Sequence, residues 1–169
     1  MLHRLASVDH GHGLILFVVP FVSLAEEKAS EFRSKWADLQ IGVKCFHGDD
    51  PSREITDDID VAVCTIENAN SILTFLFDKR KSHRLRMCVV DEVHLLSDDR
   101  RGFLLEVLLS KINYALKEQT QVVCMSATLP NIGDLASWLD ADLHTSGFRP
   151  VDLSCNTLLR FFFLTNTIR

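Results

Sequence analysis

In Met87-Cys-Val-Val-Asp-Glu-Val-His94, an apolar run ends on two adjacent carboxylates, and this arrangement indicates the class of fold. Four successive apolar residues predict a strand that is buried on both faces. In open α/β sheets, ligands bind beyond the carboxyl ends of the strands, and Asp91 and Glu92 follow at that place. Paired carboxylates there can divide the work of nucleotide hydrolysis, since one can hold Mg²⁺ while the other acts on the attacking water. The alternative for an Asp-Glu pair alone is an acidic loop at a strand end.

A second strand end complements the first. Val122-Val-Cys-Met125 is another apolar run, and Ser126-Ala-Thr128 follows it directly. Small hydroxyl side chains at that place can hydrogen-bond a neighbouring strand-end side chain such as His94, which would then report the state of a bound nucleotide. Ser and Thr are common turn residues, so Ser-Ala-Thr is a weak signal by itself. The two strand ends together are a far more specific signal than either motif alone. In this interpretation Asp91 holds the metal and Glu92 acts on the water.

Further apolar runs alternate with helical patterns along the chain. Residues 102–117 show the clearest helix, with an apolar stripe at helical spacing. Ser23-Leu-Ala-Glu26 has the pattern of a capping box that opens a helix, and Asn131 is predicted to cap a helix over 132–139. Strands that alternate with helices predict an α/β fold with a parallel sheet flanked by helices. The remaining predicted strands are Leu14 to Val19, Val43 to His47 and Val61 to Cys64.

Composition restricts the classes of function. The chain has 169 residues and a formal net charge of −5, so one domain is expected, and any nucleic-acid contact has to come from a local patch or from backbone amides. Its five cysteines include no C-x-x-C zinc or redox pair, and their odd number and their placement in apolar runs suit a reducing compartment. No apolar run approaches the length of a membrane-spanning helix. The basic run from Lys79 to Arg86 is expected to be a solvated turn, with phosphate binding or nuclear import as alternatives.

The motifs in their order resemble those of superfamily II helicases. Val89-Val-Asp-Glu-Val-His-Leu-Leu96 is similar to motif II of that group, and Met125-Ser-Ala-Thr-Leu-Pro-Asn131 to motif III. Val19-Pro-Phe-Val-Ser-Leu-Ala-Glu-Glu-Lys28 resembles motif Ia, and Val63-Cys-Thr-Ile-Glu-Asn-Ala-Asn70 resembles motif Ib. More narrowly, the pattern looks like the Ski-type DNA helicases of the polymerase-theta kind, and the resemblance covers about residues 14–153.

The resemblance implies a RecA-like domain, the first of two in a motor that uses ATP and Mg²⁺ to move 3′ to 5′ along single-stranded DNA. It implies that Asp91 binds Mg²⁺, that Glu92 activates water and that His94 belongs to the same catalytic motif. Thr65 is implied to contact the sugar-phosphate backbone of the DNA, and a plain helix cap is the alternative role for this residue. The implied coupling residues are Ser126, Ala127 and Thr128, and those implied to hold the sugar-phosphate backbone are Pro20, Ser23, Thr65 and Glu67.

The sequence also departs from the helicase pattern. No glycine among the 169 residues is followed by lysine, so the G-x-x-x-x-G-K-[ST] loop that cradles phosphates is missing, and so is the second RecA-like domain. Residues 14–153 are therefore expected to form an incomplete first motor domain without the P-loop segment. Residues 1–13 and 154–169 are expected to be irregular tails. Weak nucleotide affinity and no unwinding are expected of the isolated chain.

The sequence is consistent with three functions. The leading one is a fragment of an ATP-dependent DNA helicase or translocase that acts in DNA repair in the nucleus. The second is a catalytically inactive module that binds nucleic acid or a protein partner. The third is a fragment of an RNA helicase, because related Ski-type motors act on RNA.

Overall fold

The computed structural model of the protein describes residues 13–48, 54–127, 131–143, 145–146, 154–156 and 161–167. It confirms the predicted parallel sheet flanked by helices. Five strands lie side by side in the order β2-β3-β1-β4-β5, and each pairs in parallel with its neighbours. These strands are β1 (Leu14–Val19), β2 (Val43–Phe46), β3 (Val61–Thr65), β4 (Leu85–Val90) and β5 (Gln121–Ala127).

Helices cover both faces of this sheet, which is why its strands are continuous apolar runs. Successive β1 side chains enter opposite cores, since Leu16 packs with one cluster and Phe17 with the other. The first helix packs on the Phe17 face through Ala25 and Ala29, and the other three helices pack on the Leu16 face. The helices are α1 (Val22–Lys35), α2 (Ile66–Asp78), α3 (Gly102–Ala115) and α4 (Ile132–Leu139).

The C-terminal segment differs from the expectation of an irregular tail over 154–169. Three further strands extend the sheet beyond β5, namely β6 (Thr145–Ser146), β7 (Ser154–Asn156) and β8 (Phe161–Thr167). The last of these pairs in parallel with β5. Phe161-Phe-Phe-Leu164 is an apolar run of strand-forming residues, and its backbone pairs with the otherwise open edge of β5. Residues 1–12 of the expected N-terminal tail lie outside the described residues.

The start of α1 also differs from its prediction. The helix begins at Val22 with Phe21 as its N-cap residue, and no side chain caps it, so the predicted capping box at Ser23 is wrong. Phe21 has extended backbone angles and its carbonyl accepts the amide hydrogen of Ala25 at 3.0 Å, so the helix follows the strand with almost no loop. Asn131 precedes α4 as predicted, although its side chain makes no cap hydrogen bond.

Arg84 is a buried exception within the basic run of residues 79–86. Only 4% of its side chain is exposed, and its guanidinium group donates to the backbone carbonyls of Ile55, Thr56 and Ile59. A 3.0 Å ion pair with Asp57 completes this cluster. The side chain therefore holds the segment before β3 against the start of β4, which is a structural task rather than phosphate binding. In the part of the chain that the structure describes, every helix is too short or too polar to cross a membrane.

Candidate nucleotide and nucleic-acid site

The carboxyl ends of four adjacent strands bring most of the predicted site residues to one edge of the sheet. The parallel register places Val18 of β1 beside Val90 of β4, and Val90 beside Cys124 of β5. On the other side of β1, Val19 pairs with Thr65. The residues that leave this edge are Pro20 after β1, Thr65 at the end of β3, Asp91 and Glu92 after β4, and Ser126 near the end of β5.

Asp91 is fixed by backbone contacts at this edge. Its amide donates to the carbonyl of Val18 at 2.9 Å, and its Oδ1 accepts the amide hydrogen of Glu92 at 3.0 Å. Burial, followed by the negative charge of Glu92, raises the pKa of Asp91, while the Glu92 amide and the positive charge of Lys28 oppose that rise. The carboxylate therefore gains more from a divalent cation than a solvated one would, because a cation offsets both effects.

Glu92 turns the chain sharply out of β4. Its backbone is left-handed, with φ 55° and ψ 44°, a conformation that costs a residue with a side chain about 1–2 kcal/mol. The 3₁₀ segment Val93–Ser97 follows at once. His94 Nδ1 lies 3.1 Å from Glu92 Oε2, close enough for an ion pair when the imidazole is protonated, although the two atoms lack hydrogen-bond alignment. The turn thus keeps both side chains together, half-exposed at the edge.

Ser126 supplies a buried hydroxyl beside this turn. The residue is 3% exposed, and its Oγ has no hydrogen-bond partner among the described residues. Segment Val93–Ser97 packs against β5, so the two elements are adjacent, but the predicted hydrogen bond between Ser126 and His94 is not formed. Ala127 is the last residue of β5. Thr128, the third predicted coupling residue, lies outside the described residues.

The residues predicted to hold a nucleic-acid backbone differ in accessibility. Ser23 is exposed in the first turn of α1, and Glu67 in the first turn of α2 is half exposed. Pro20 is buried, and so is Thr65, whose Oγ1 accepts a 3.3 Å hydrogen bond from Asn68. Thr65 precedes α2 but makes no side-chain cap hydrogen bond, so the structure does not show the plain helix cap.

Arg101, which precedes α3, also lies at this edge, and the sequence predicted no role for it. Its guanidinium group donates to the carbonyl of Pro20, and its Nε lies 4.0 Å from Glu67 Oε1. The same group lies over the ring of Phe21 at 5.1 Å. Arg101 thereby connects the loop after β1 with the start of α2. The signal in the sequence is an arginine between an acidic turn and a glycine, and only the fold shows what it contacts.

The turn that carries Arg101 is built on Asp98 and Gly102. Asp98 Oδ1 accepts the amide hydrogens of Arg100 at 2.9 Å and Arg101 at 2.8 Å, and these two hydrogen bonds lower the pKa of Asp98. A Cβ atom on Gly102 would lie 2.3 Å from the carbonyl oxygen of Leu96, so only glycine allows this close approach. Arg101 is therefore attached to the segment that follows Asp91 and Glu92.

The donor set at this edge fits a magnesium–nucleotide complex. Mg²⁺ prefers hard oxygen ligands, and it is usually bound through one or two carboxylates together with phosphates and waters. Asp91 supplies a carboxylate whose pKa is raised by burial and which a divalent cation would stabilise. Within the described part of the chain, no three His, Cys, Asp or Glu side chains converge as a metal cluster.

Comparison with known proteins identifies related sequences. The DEAD/DEAH box helicase family matches residues 1–135. The chain is 41% identical over 152 residues to "DNA polymerase theta" of Mus musculus, covering 82% of the chain. It is 35% identical over 142 residues to "Helicase POLQ-like" of Homo sapiens, again over 82% of the chain. It is 38% identical over 146 residues to "ATP-dependent DNA helicase Hel308" of Thermoplasma acidophilum, over 86% of the chain.

These relatives are much longer than the chain. The aligned region covers 6% of the mouse protein, 13% of the human protein and 21% of the archaeal protein. The resemblance to helicases of the polymerase-theta kind is confirmed by these relatives, and it concerns one segment of each of them.

Proposed function

Because the chain belongs to the DEAD/DEAH box helicase family, we propose that it provides part of the first motor domain of an ATP-dependent DNA helicase or translocase. The observation that carries this proposal is the single sheet edge where Asp91, Glu92 and Ser126 lie beside Pro20 and Thr65. A nucleotide site and a nucleic-acid site that share adjacent strand ends can affect one another. That proximity is what an ATP-driven motor needs.

In the nucleotide site, Asp91 would hold the magnesium ion that accompanies ATP, and Glu92 would orient and deprotonate the attacking water. The bound ion supplies charge neutralisation at the phosphates. Glu92 suits its task because its carboxylate is half exposed and is held by the turn after β4, within reach of a water at the edge. His94 is the side chain next to that carboxylate, so it responds to a change in the charge of Glu92.

The coupling residues follow on the neighbouring strand. Ser126 and Ala127 end β5 next to the turn that carries His94, and Thr128 follows them in the sequence. The unpartnered Ser126 hydroxyl can accept or donate a hydrogen bond when that turn moves. We assign to these three residues the coupling between hydrolysis and movement along the strand.

On the nucleic-acid side, Pro20, Ser23, Thr65 and Glu67 line the ends of β1 and β3 with the starts of α1 and α2. Contact with the sugar-phosphate backbone is made through the exposed hydroxyl of Ser23 and the amide groups at the starts of α1 and α2, which reconciles binding with a net charge of −5. Movement from 3′ to 5′ along single-stranded DNA, action in DNA repair, and a nuclear location are parts of the same proposal. The names of the polymerase-theta and Hel308 relatives favour DNA over RNA as the substrate.

A second candidate function is a binding module without ATP hydrolysis. No G-x-x-x-x-G-K-[ST] pattern occurs among the 169 residues, and this alternative needs none. On this alternative the chain binds nucleic acid or a partner protein, and Asp91 and Glu92 have no catalytic task.

A graft separates the two candidates. Residues 14–127 replace the matching segment of the Thermoplasma acidophilum Hel308, to which the chain is 38% identical, and DNA-stimulated ATP hydrolysis is measured. We expect an active graft. Glu92→Gln should spare ATP binding and slow turnover about a hundredfold or more, whereas Asp91→Asn should weaken magnesium-dependent ATP binding. Asp99→Asn, an exposed carboxylate of the following turn, is the matched control and should change neither quantity.

The graft can also contradict the proposal. A folded graft that binds single-stranded DNA but hydrolyses no ATP favours the binding module. Equal loss of ATP binding in the Asp91, Glu92 and Asp99 variants would show that these carboxylates only support the fold.

A further inference from the structure

Phe21 is an aromatic residue that the core does not use. It follows Pro20 at the carboxyl end of β1 and is 56% exposed, while the residues before it in β1 are almost completely buried. A single exposed apolar side chain is ordinary on a protein surface, so what distinguishes Phe21 is the set of contacts that holds its ring. Phe21 is also the N-cap residue of α1, and its side chain makes no cap hydrogen bond there.

The ring of Phe21 is held in place by Arg101. The guanidinium carbon lies 5.1 Å from the ring centroid, a cation–π distance. Arg101 is itself anchored, since it donates to the Pro20 carbonyl and lies 4.0 Å from Glu67. The turn on Asp98 and Gly102 fixes its backbone. One side of the ring is therefore supported by a fixed cation, and the exposed remainder faces solvent.

Phe21 also lies among the residues assigned to the nucleic-acid backbone. Ser23 is two positions further on in α1, and Arg101 links the ring to the start of α2 through Glu67. Single-strand-binding proteins combine backbone contacts with aromatic side chains on which bases stack, and arginine adds a cation–π contribution. An exposed aromatic ring with a fixed cation on one face, next to residues assigned to the backbone of the strand, matches this chemistry.

We propose that Phe21, supported by Arg101, is a stacking platform for one unpaired nucleobase of a single-stranded nucleic acid. This inference rests on the proposed function, because it adds a base contact to the backbone contacts of the same edge. The stacked base fixes the position of the strand next to the loop that leads from β1 into α1. Since every base has an aromatic face, the contact is insensitive to sequence.

The test compares two fluorescent oligomers of equal length, an oligothymidylate and an abasic deoxyribose-phosphate chain, bound to the 169-residue protein and followed by anisotropy. Wild type should bind the oligothymidylate more tightly. Phe21→Ala should weaken that binding about tenfold, the equivalent of roughly 1.4 kcal/mol and within the scale of base–aromatic stacking. Its binding to the abasic oligomer should be unchanged. Phe21→Tyr should restore the preference for bases, and Tyr114→Ala, a 95% exposed aromatic near the end of α3, is the matched control.

A spectroscopic measurement makes the test independent of affinity. An oligomer with a single 2-aminopurine should lose fluorescence on binding wild type and Phe21→Tyr, and much less on binding Phe21→Leu, which keeps an apolar side chain without a ring. Equal affinity of wild type for both oligomers, or equal weakening of both by Phe21→Ala, would overturn the stacking site and assign the exposed ring to a protein contact. Absence of binding to either oligomer would instead refute the proposed nucleic-acid function itself.

Discussion

Gly102→Ala is the substitution for which the structure allows the most direct calculation. Gly102 is the first residue of α3, and it packs against the segment that follows Asp91 and Glu92. A Cβ atom would lie 2.3 Å from the Leu96 carbonyl oxygen, 3.0 Å from the Leu96 carbonyl carbon and 3.2 Å from the Leu95 carbonyl oxygen. All three neighbours are backbone atoms, so no side-chain rotation can relieve the contact. Either α3 or the 3₁₀ segment Val93–Ser97 must move.

The expected loss of stability follows from two opposing contributions. Overpacking that forces backbone to shift costs about 1–3 kcal/mol, whereas alanine improves on glycine by at most about 1 kcal/mol within a helix. A contact of 2.3 Å with a backbone atom places the overpacking cost in the upper part of that range, about 2–3 kcal/mol. Subtracting about 1 kcal/mol leaves a net loss of unfolding free energy of about 1–2 kcal/mol. For a chain of this length, each 1 kcal/mol corresponds to about 2–4 °C in Tm, so Gly102→Ala should lower Tm by about 2–8 °C.

The assay is thermal unfolding followed by circular dichroism, with Gly133→Ala as the matched control. Gly133 also lies in the first turn of its helix, α4, but a Cβ atom there would meet nothing within 4 Å. Its replacement should leave Tm unchanged or raise it slightly, because alanine reduces the entropy of the unfolded chain. If Gly102→Ala proves as stable as Gly133→Ala, the close approach of α3 to the Leu95–Leu96 backbone is wrong, and with it the link from the nucleotide turn to Arg101.

Two carboxylates should respond to pH with opposite signs, as urea unfolding at several pH values can show. Burial raises the folded-state pKa of Asp91 above 3.8, so the fold favours the protonated carboxyl, and this contribution to stability is present in acid and is lost as the pH rises. Asp91→Asn should therefore stabilise the free chain at pH 7 and match wild type in acid. Backbone hydrogen bonds lower the pKa of Asp98 below 3.8, so the fold favours the carboxylate, and this contribution to stability is present at neutral pH and is lost on acidification. Asp98→Asn should therefore destabilise the chain at pH 7 and reduce its acid sensitivity. Arg84→Met should lower the unfolding free energy by about 3 kcal/mol or more, because buried carbonyls lose their donor. Lys79→Met, on the exposed part of the same run, should have little effect. Similar losses for the two variants would disprove the structural task assigned to Arg84.

Much of the secondary structure followed from the sequence alone. The predicted strand over 14–19 and the predicted helix over 132–139 have the same bounds in the structure. The predicted strands over 87–90 and 122–125 are extended by one or two residues at their ends. These predictions succeed because a strand buried between two helical layers has to be apolar at every position, and that requirement is visible in a short window of sequence.

The meeting of the predicted site residues at one sheet edge was also predictable, since parallel strands place their carboxyl ends together. Asp91, Glu92 and Ser126 were assigned to this edge from their positions after two apolar runs, and the strand pairing of β4 with β5 bears that placement out. Their catalytic and coupling roles stay predictions. The hydrogen bond that the sequence suggested between Ser126 and His94 is not formed, and the left-handed backbone of Glu92 between β4 and His94 was not predicted from the sequence.

Only the tertiary structure decided which distant segments meet. Arg101 donates to a carbonyl 81 positions earlier in the chain, and β8 pairs with β5 although the apolar run from Phe161 had no visible partner. A local pattern records whether a side chain is buried, because burial depends on the residue's own polarity. It does not record the partner, because strand edges and backbone carbonyls are chemically alike along the chain, and the choice among them is made when the whole sheet and its helices pack together.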